Sequence, residues 1–132
     1  MSGDELYNGH DLLTGLHDSF YFSTEFDRKK AQLKRSGESN LLLCLCLPED
    51  TQEERVKQVA DYWEKTFVRT CRYEKKTYTF LALDKSKDSH EKEREILNSL
   101  TSKFPNITIR INSIIIDGNS DSLDDSVKRI LE

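Results

Sequence analysis

Apolar and polar positions along the chain follow two periods, and the switches between them mark eight elements. Leu41-Leu-Leu-Cys-Leu-Cys-Leu47 is the densest apolar run, seven residues stopped by Pro48. Its length and flanks predict a strand buried on both faces, with a short buried helix as the alternative because leucine is an indifferent strand former. Before it, Ser19 to about Arg35 carries Phe20, Phe22, Phe26, Ala31 and Leu33 among charges and predicts a helix. Lys29, Lys30, Lys34 and Arg35 fall in its last turns, where positive charge complements the helix dipole. Ser36-Gly37-Glu38-Ser39-Asn40 supplies the stop. After Pro48, Asp50 or Thr51 can cap a second helix, whose Val56, Val59, Ala60, Trp63 and Phe67 recur at three- and four-residue spacing.

The stretch Val68–Leu83 reads as two β-rich runs folded back across a polar turn at Glu74–Thr77. That turn holds no Asn-Gly or Gly-X pair and needs a four-residue loop. A third helix, about Glu91–Lys103, turns Ile96, Leu97 and Leu100 inward and breaks at Phe104-Pro105-Asn106. Ile107–Asn112 alternates as a half-buried strand that continues through Ile116 to a turn at Asp117-Gly118. Ser122–Leu131 reads as a terminal helix with Leu123, Val127, Ile130 and Leu131 on one side. The order α-β-α-β-β-α-β-α around one hairpin predicts an α+β sandwich, with helices covering an antiparallel-rich sheet. Residues 1–10 read as a polar lead-in and 11–132 as a single domain, opening with a compact apolar turn, Asp11-Leu-Leu-Thr-Gly-Leu16, that Gly15 relieves.

Composition narrows the partners. The 132 residues include 20 basic and 24 acidic side chains, for a net charge of −4. That balance argues against a nucleic-acid footprint and against a polybasic membrane anchor. No apolar stretch approaches the roughly 18 residues of a membrane span, and the N-terminus has neither the basic nor the apolar region of a secretory signal. An odd set of three cysteines, two of them inside the apolar run, suits a reducing cytoplasm.

Several residues carry candidate chemistry. Cys44 and Cys46 share a face if their run is a strand, yet a thiolate metal site would need further ligands, and no histidine lies close in sequence. Buried cysteines acting as small hydrophobes are the better reading, so no metal is expected. Arg72, Lys75 and Lys76 are candidates to contact a phosphate or an acidic partner, against a turn kept soluble by lysine. Tyr73, Tyr78 and Phe80 are candidates to stack a base, against core positions. Asp117-Gly-Asn-Ser-Asp121 mimics the start of a calcium loop, but Ser122 and Lys128 stand where glycine and glutamate are needed, so a capped helix start at Asp121 or Ser122 is expected. His10, His17 and His90 form no triad by sequence and read as surface residues.

Asp11-Leu-Leu-Thr-Gly-Leu-His-Asp-Ser-Phe-Tyr-Phe22 resembles the opening of bacterial GGDEF domains, whose active members are diguanylate cyclases. Cys71-Arg72-Tyr73 is similar to the residues just before that family's signature turn, and Ile107-Thr108-Ile109 to its later Val-Thr-x-Ser strand. The resemblance implies a nucleotidyl-cyclase-like sandwich with a ferredoxin-like palm over about Asp11 to Leu131. It also places Cys44 and Cys46 where the family carries Asp-x-Asp, whose first acid helps bind two magnesium ions. Hard Mg2+ wants oxygen ligands. The family's phosphate-holding loop shrinks here to Leu47–Thr51. Its signature aligns with Glu74-Lys75-Lys76-Thr77-Tyr78, so that both glycines and both acids are replaced. Lys65-Thr66-Phe67-Val68 occupies the place of the product-binding Arg-x-x-Asp. Asp18 and Ser19 replace an Asn-Arg pair, so a salt bridge from Asp11 to an arginine at that place cannot form.

The resemblance and its departures together imply a degenerate GGDEF-like domain without catalysis or cofactor. It would serve as a regulatory or protein-interaction module in bacterial cyclic di-GMP signalling. Its partner would be another protein or a second copy, met through the lysine turn and the Trp63 helix. The alternative is a non-catalytic receptor for GTP or cyclic di-GMP that uses Arg72, Lys75 and Lys76; an active cyclase is the least favoured reading.

Overall fold

The apolar run is a strand, and the sheet is built outward from it. The structure, a computed structural model, describes residues 6–7, 10–74, 78–86 and 88–131. The elements are β1 (Leu6–Tyr7), β2 (His10–Asp11), α1 (Ser19–Ser36), β3 (Asn40–Leu47), α2 (Glu53–Thr66), β4 (Arg69–Glu74), β5 (Tyr78–Asp84), α3 (Ser89–Lys103), β6 (Arg110–Ile116) and α4 (Leu123–Leu131). β1 and β2 form a small ribbon. The main sheet runs β4-β5-β3-β6, antiparallel at every pairing. In that order β5 sits between β3 and β4, which is the split β-α-β-β-α-β arrangement of a ferredoxin-like palm.

β3 is hydrogen-bonded on both sides and covered on both faces, which is why its sequence shows no alternation. Leu41, Leu43, Leu45 and Leu47 pack on one face with Val56, Val59, Ala60 and Trp63 of α2 and with Ile96 and Leu100 of α3. Leu42 and Cys44 pack on the other with Phe22, Phe26 and Leu33 of α1 and with Leu123, Val127 and Ile130 of α4. Each fully buried leucine stabilises the fold by roughly 1.5–3 kcal/mol, so the strand holds both layers at once. Trp63 is fully buried and its indole N–H donates to the Leu81 carbonyl at 3.0 Å, which satisfies its one donor.

Element ends follow local chemistry, with several departures from expectation. Asp18 caps α1 by accepting from the Tyr21 N–H at 2.8 Å, and Gly37, at φ +73°, closes it by donating to the Leu33 carbonyl. The helix register that buries Phe22 and Phe26 turns Phe20 outward, two residues and about 200° away, and Phe20 is 82% exposed. Ala31 is exposed too, and Glu25 takes a buried position instead. Neither Asp50 nor Thr51 caps α2. Gln52 stands there without a side-chain bond, the Thr51 N–H closes a tight turn onto Pro48, and Glu53 and Glu54 answer the helix dipole. Leu97 lies at the border of the α3 face, partly exposed. β6 begins at Arg110 rather than Ile107, because β3, its pairing partner, runs out at Pro48, which has no N–H to offer. Ile107 and Ile109 still pack on the core. Ser122 caps α4, accepting from the Asp125 N–H, and Asp117 accepts from the Asn119 N–H in the turn before it. That turn lies against α1: a Cβ on Gly118 would clash with the backbone of Lys34.

Candidate functional site

The hairpin end of the sheet carries the residues in question. Cys46 on β3 faces Thr79 on β5 and Arg110 on β6, and Thr79 in turn faces Glu74 on β4. One row across the sheet therefore reads Glu74, Thr79, Cys46, Arg110. Cys44 and Cys46 do share a face, with their sulfurs 3.9 Å apart, and the Cys46 Sγ lies 3.9 Å from the Thr79 hydroxyl. Cys44 and Cys71 are fully buried and Cys46 half-buried. Cys71 sits across Leu81 from Cys44, two strand spacings or about 10 Å away, so the three thiols do not converge.

The cysteines differ in acidity for a physical reason. Contact with the Cys44 thiol, then the Thr79 hydroxyl and Arg110, holds Cys46 at about 6 against the opposing effect of burial. The same Cys44–Cys46 contact, followed by burial, pushes Cys44 far upward. Burial raises Cys71 as well. Among the described residues no three His, Cys, Asp or Glu side chains group closely enough to hold a metal ion.

Arg72 is not available to a phosphate. Its guanidinium is buried, and Nη1 donates to both carboxylate oxygens of Asp11, at 3.2 and 3.1 Å. Asp11 also accepts from the Thr14 N–H at 3.0 Å and from the Thr14 hydroxyl at 2.7 Å, so the opening turn is organised around this carboxylate. Asp11 thus has an arginine after all, supplied from β4 rather than from the position of Ser19. Breaking such a buried pair by removing one partner costs about 3–5 kcal/mol. The Arg72 N–H donates to the His17 carbonyl at 2.9 Å and the guanidinium lies 5.4 Å from the Tyr78 ring centroid. The 11–17 turn and the hairpin form one unit.

The aromatic residues divide. Phe80 is fully buried, Tyr78 packs on the core, and the Tyr73 hydroxyl donates to Asp124 at the start of α4, tying the hairpin to that helix. Burial, then this hydrogen bond, raises the Tyr73 pKa. Lys75, Lys76 and Thr77, the middle of the signature-aligned turn, lie outside the described residues. Trp63, read as part of a partner-facing helix, is core. Of the histidines, His90 is exposed, but His10 and His17 are half-buried, with ring centroids 4.2 Å apart, and His17 stacks on Tyr21 at 3.8 Å. Burial, then the nearby His10, lowers the His17 pKa.

No protein-family model matches the chain, and no curated protein does. Solved structures match well. The GGDEF domain of FimX from Pseudomonas aeruginosa superposes with a TM-score of 0.74 at 19% identity, over 95% of this chain and 90% of that one. The GGDEF domain of DgcB from Caulobacter crescentus, in complex with c-di-GMP, gives 0.76 at 15% identity, over 94% and 84%. Diguanylate cyclase SiaD from P. aeruginosa, in complex with its activator SiaC, gives 0.72 at 16% identity, over 93% and 55%.

The chain has the fold of a GGDEF domain. In that fold the alignment implied by the sequence puts Cys44 and Cys46 on the central strand, at the end where the hairpin turns. Two sulfurs, one sealed in the core, do not fit Mg2+, which takes oxygen donors in near-ideal octahedral geometry. The connection from β3 to α2 is five residues, 48–52, tightened by the Thr51–Pro48 bond. Sequence reasoning missed the Asp11–Arg72 pair. The sequence shows an acid opening the Asp11 turn and an arginine between Cys71 and Tyr73, but only the fold brings them together.

Proposed function

We propose that this GGDEF-fold domain is non-catalytic and acts as a regulatory module through protein contacts in bacterial cyclic di-GMP signalling, in the cytoplasm. The observation that carries the reading is the thiol pair. Where metal-assisted phosphoryl transfer needs acids to fix the cations, the chain holds Cys44 inside the apolar layer with Phe22 and Phe26 and leaves Cys46 beside it. The short β3–α2 connection and the commitment of Arg72 to Asp11 support the same conclusion, since both remove groups that would hold a triphosphate. Among the described residues no helix is long and apolar enough to cross a membrane, which fits this reading. Precedent on this fold runs both ways: SiaD is seen with a protein activator and DgcB with c-di-GMP.

The test is turnover. The full chain is incubated with GTP and either Mg2+ or Mn2+, and the products are separated by chromatography. The expected result is no cyclic di-GMP and no pyrophosphate above a protein-free blank. Product that rises with protein concentration overturns the proposal.

A further inference from the structure

Two grooves border the last turn of α2; the first runs from there back along that helix to Arg55 and the end of α3, and the second lies at the end of the sheet remote from the hairpin. One, of about 620 Å³, is lined by Arg55, Lys65 and Lys103 with Tyr62 and Asp61. The other, of about 560 Å³, lies between α1, the start of β4 and the end of β5, and is lined by Lys29, Arg69 and Lys85 with Asp84. Thr66 borders both. Val68, at the rim of the second, is 93% exposed. Six cations thus face two carboxylates in a chain whose net charge is −4. The lining carboxylates are engaged, Asp61 by Lys65 at 2.9 Å and Asp84 by Lys92 at 3.8 Å, and Arg69 is paired with Glu25 at 3.6 Å, so Lys29, Arg55, Lys85 and Lys103 carry the surplus of positive charge.

We infer that this surface docks an acidic peptide segment of a partner protein, whose carboxylates meet the lysines and arginines while one apolar side chain covers Val68. The inference rests on the protein-interaction reading above and names where that interaction occurs. Charge complementarity carries it, and two features select a peptide over a compact phosphate ligand. Phosphates are held by helix N-termini and by clustered backbone N–H groups. Here the helix end is the C-terminus of α2, whose carbonyls repel any anion set against them, so an anionic ligand must be met by side chains further out. Long lysine and arginine side chains reach past that end and suit carboxylates spaced along an extended chain. The second feature is Val68 itself: an apolar side chain standing in water among cations gains from an apolar anchor, which a phosphate does not offer. Lys103 already lies over the Tyr62 ring, 5.2 Å from its centroid, and so occupies one of its two faces.

The test is to pan a display library of short random peptides on the full chain and map the winners by amide chemical shifts of the 15N-labelled protein. The expected winners carry several Asp or Glu around a Leu, Ile or Phe and shift the amides of Val68, Arg69 and Lys85. Their affinity falls about tenfold or more in Lys65→Glu/Lys85→Glu, a change of roughly 1.4 kcal/mol, and falls with added salt. Val68→Ser weakens them without altering the melting temperature. Neutral or basic winners, shifts confined to another surface, or no enrichment at all overturn the docking surface and leave the interaction module standing. Shifts of the same amides by GTP or cyclic di-GMP, with peptides inert, overturn it in favour of a nucleotide ligand. The failure of the module reading itself is read separately, as GTP turnover.

Discussion

The two ends of the sheet are built on opposite terms. At the hairpin end, groups that chemistry could use are folded inward: Cys44 is sealed between α1 and the sheet, Arg72 is spent on Asp11, and Tyr73 is tied to Asp124. At the other end, Lys29, Lys65, Arg69 and Lys85 stand near an exposed valine. A buried charged group costs several kcal/mol unless paired, whereas exposed cations cost little and contribute little to stability. The first end therefore reads as structure and the second as a solvated basic surface, where the proposed partner would dock.

That contrast can be broken by mutation. The largest effect is expected from Asp11→Ala, which leaves the Arg72 guanidinium buried without its carboxylate and unlatches the Thr14 turn. A loss of about 3–5 kcal/mol is expected in denaturant unfolding, and a loss under about 1 kcal/mol would mean that the pair is not buried in solution. Cys44→Asp restores the residue type that the family resemblance places there. On this account it buries a carboxylate among apolar side chains, costs on the order of 3 kcal/mol, and yields no GTP turnover. Turnover regained by this single change would place the hairpin end among working sites.

Smaller effects sharpen the same division. The folded state lowers the His17 pKa from 6.5, chiefly by burial and then by His10, against the pull of Asp18, Glu64 and Glu25. The unfolded chain takes up that proton as pH falls through 6.5 while the folded chain resists it. Stability should therefore fall as pH drops below 6.5, until the folded-state value is passed, and His17→Gln should flatten that limb of a melting-temperature profile. An unchanged profile in His17→Gln would show that the ring is solvated. At the far end, Lys65→Glu/Lys85→Glu should cost only about 1 kcal/mol, chiefly because Lys65→Glu loses the pair with Asp61 and sets an acid at the C-terminus of α2, which calorimetry can read.

Most of the architecture was legible in the chain because each element carries its own period. The central strand announced itself by seven apolar residues before Pro48, the hairpin by β-rich runs about a polar turn, and α1 by its Gly37 stop. Boundaries failed where tertiary pairing decided them: β6 starts only where β3 still offers partners, and Phe20 faces water because packing fixed the helix register. At the candidate site, the shared face of Cys44 and Cys46 was legible from sequence, while Lys75, Lys76 and Thr77 of the signature-aligned turn lie outside the described residues. The Asp11–Arg72 pair joins residues 61 positions apart, and no local pattern reports such a contact. The basic end is still less legible. Lys29, Lys65 and Lys85 come from two helices and a strand end, and each reads in its own segment as an ordinary solvated charge.

The most direct measurement is thermal unfolding of the full chain with and without GTP or cyclic di-GMP, each with Mg2+. A ligand of the native state alone, present at ~100 times its dissociation constant, stabilises by about 2.7 kcal/mol. The account predicts an unchanged melting temperature with either nucleotide. A clear, concentration-dependent rise would contradict it and make this fold a nucleotide receptor.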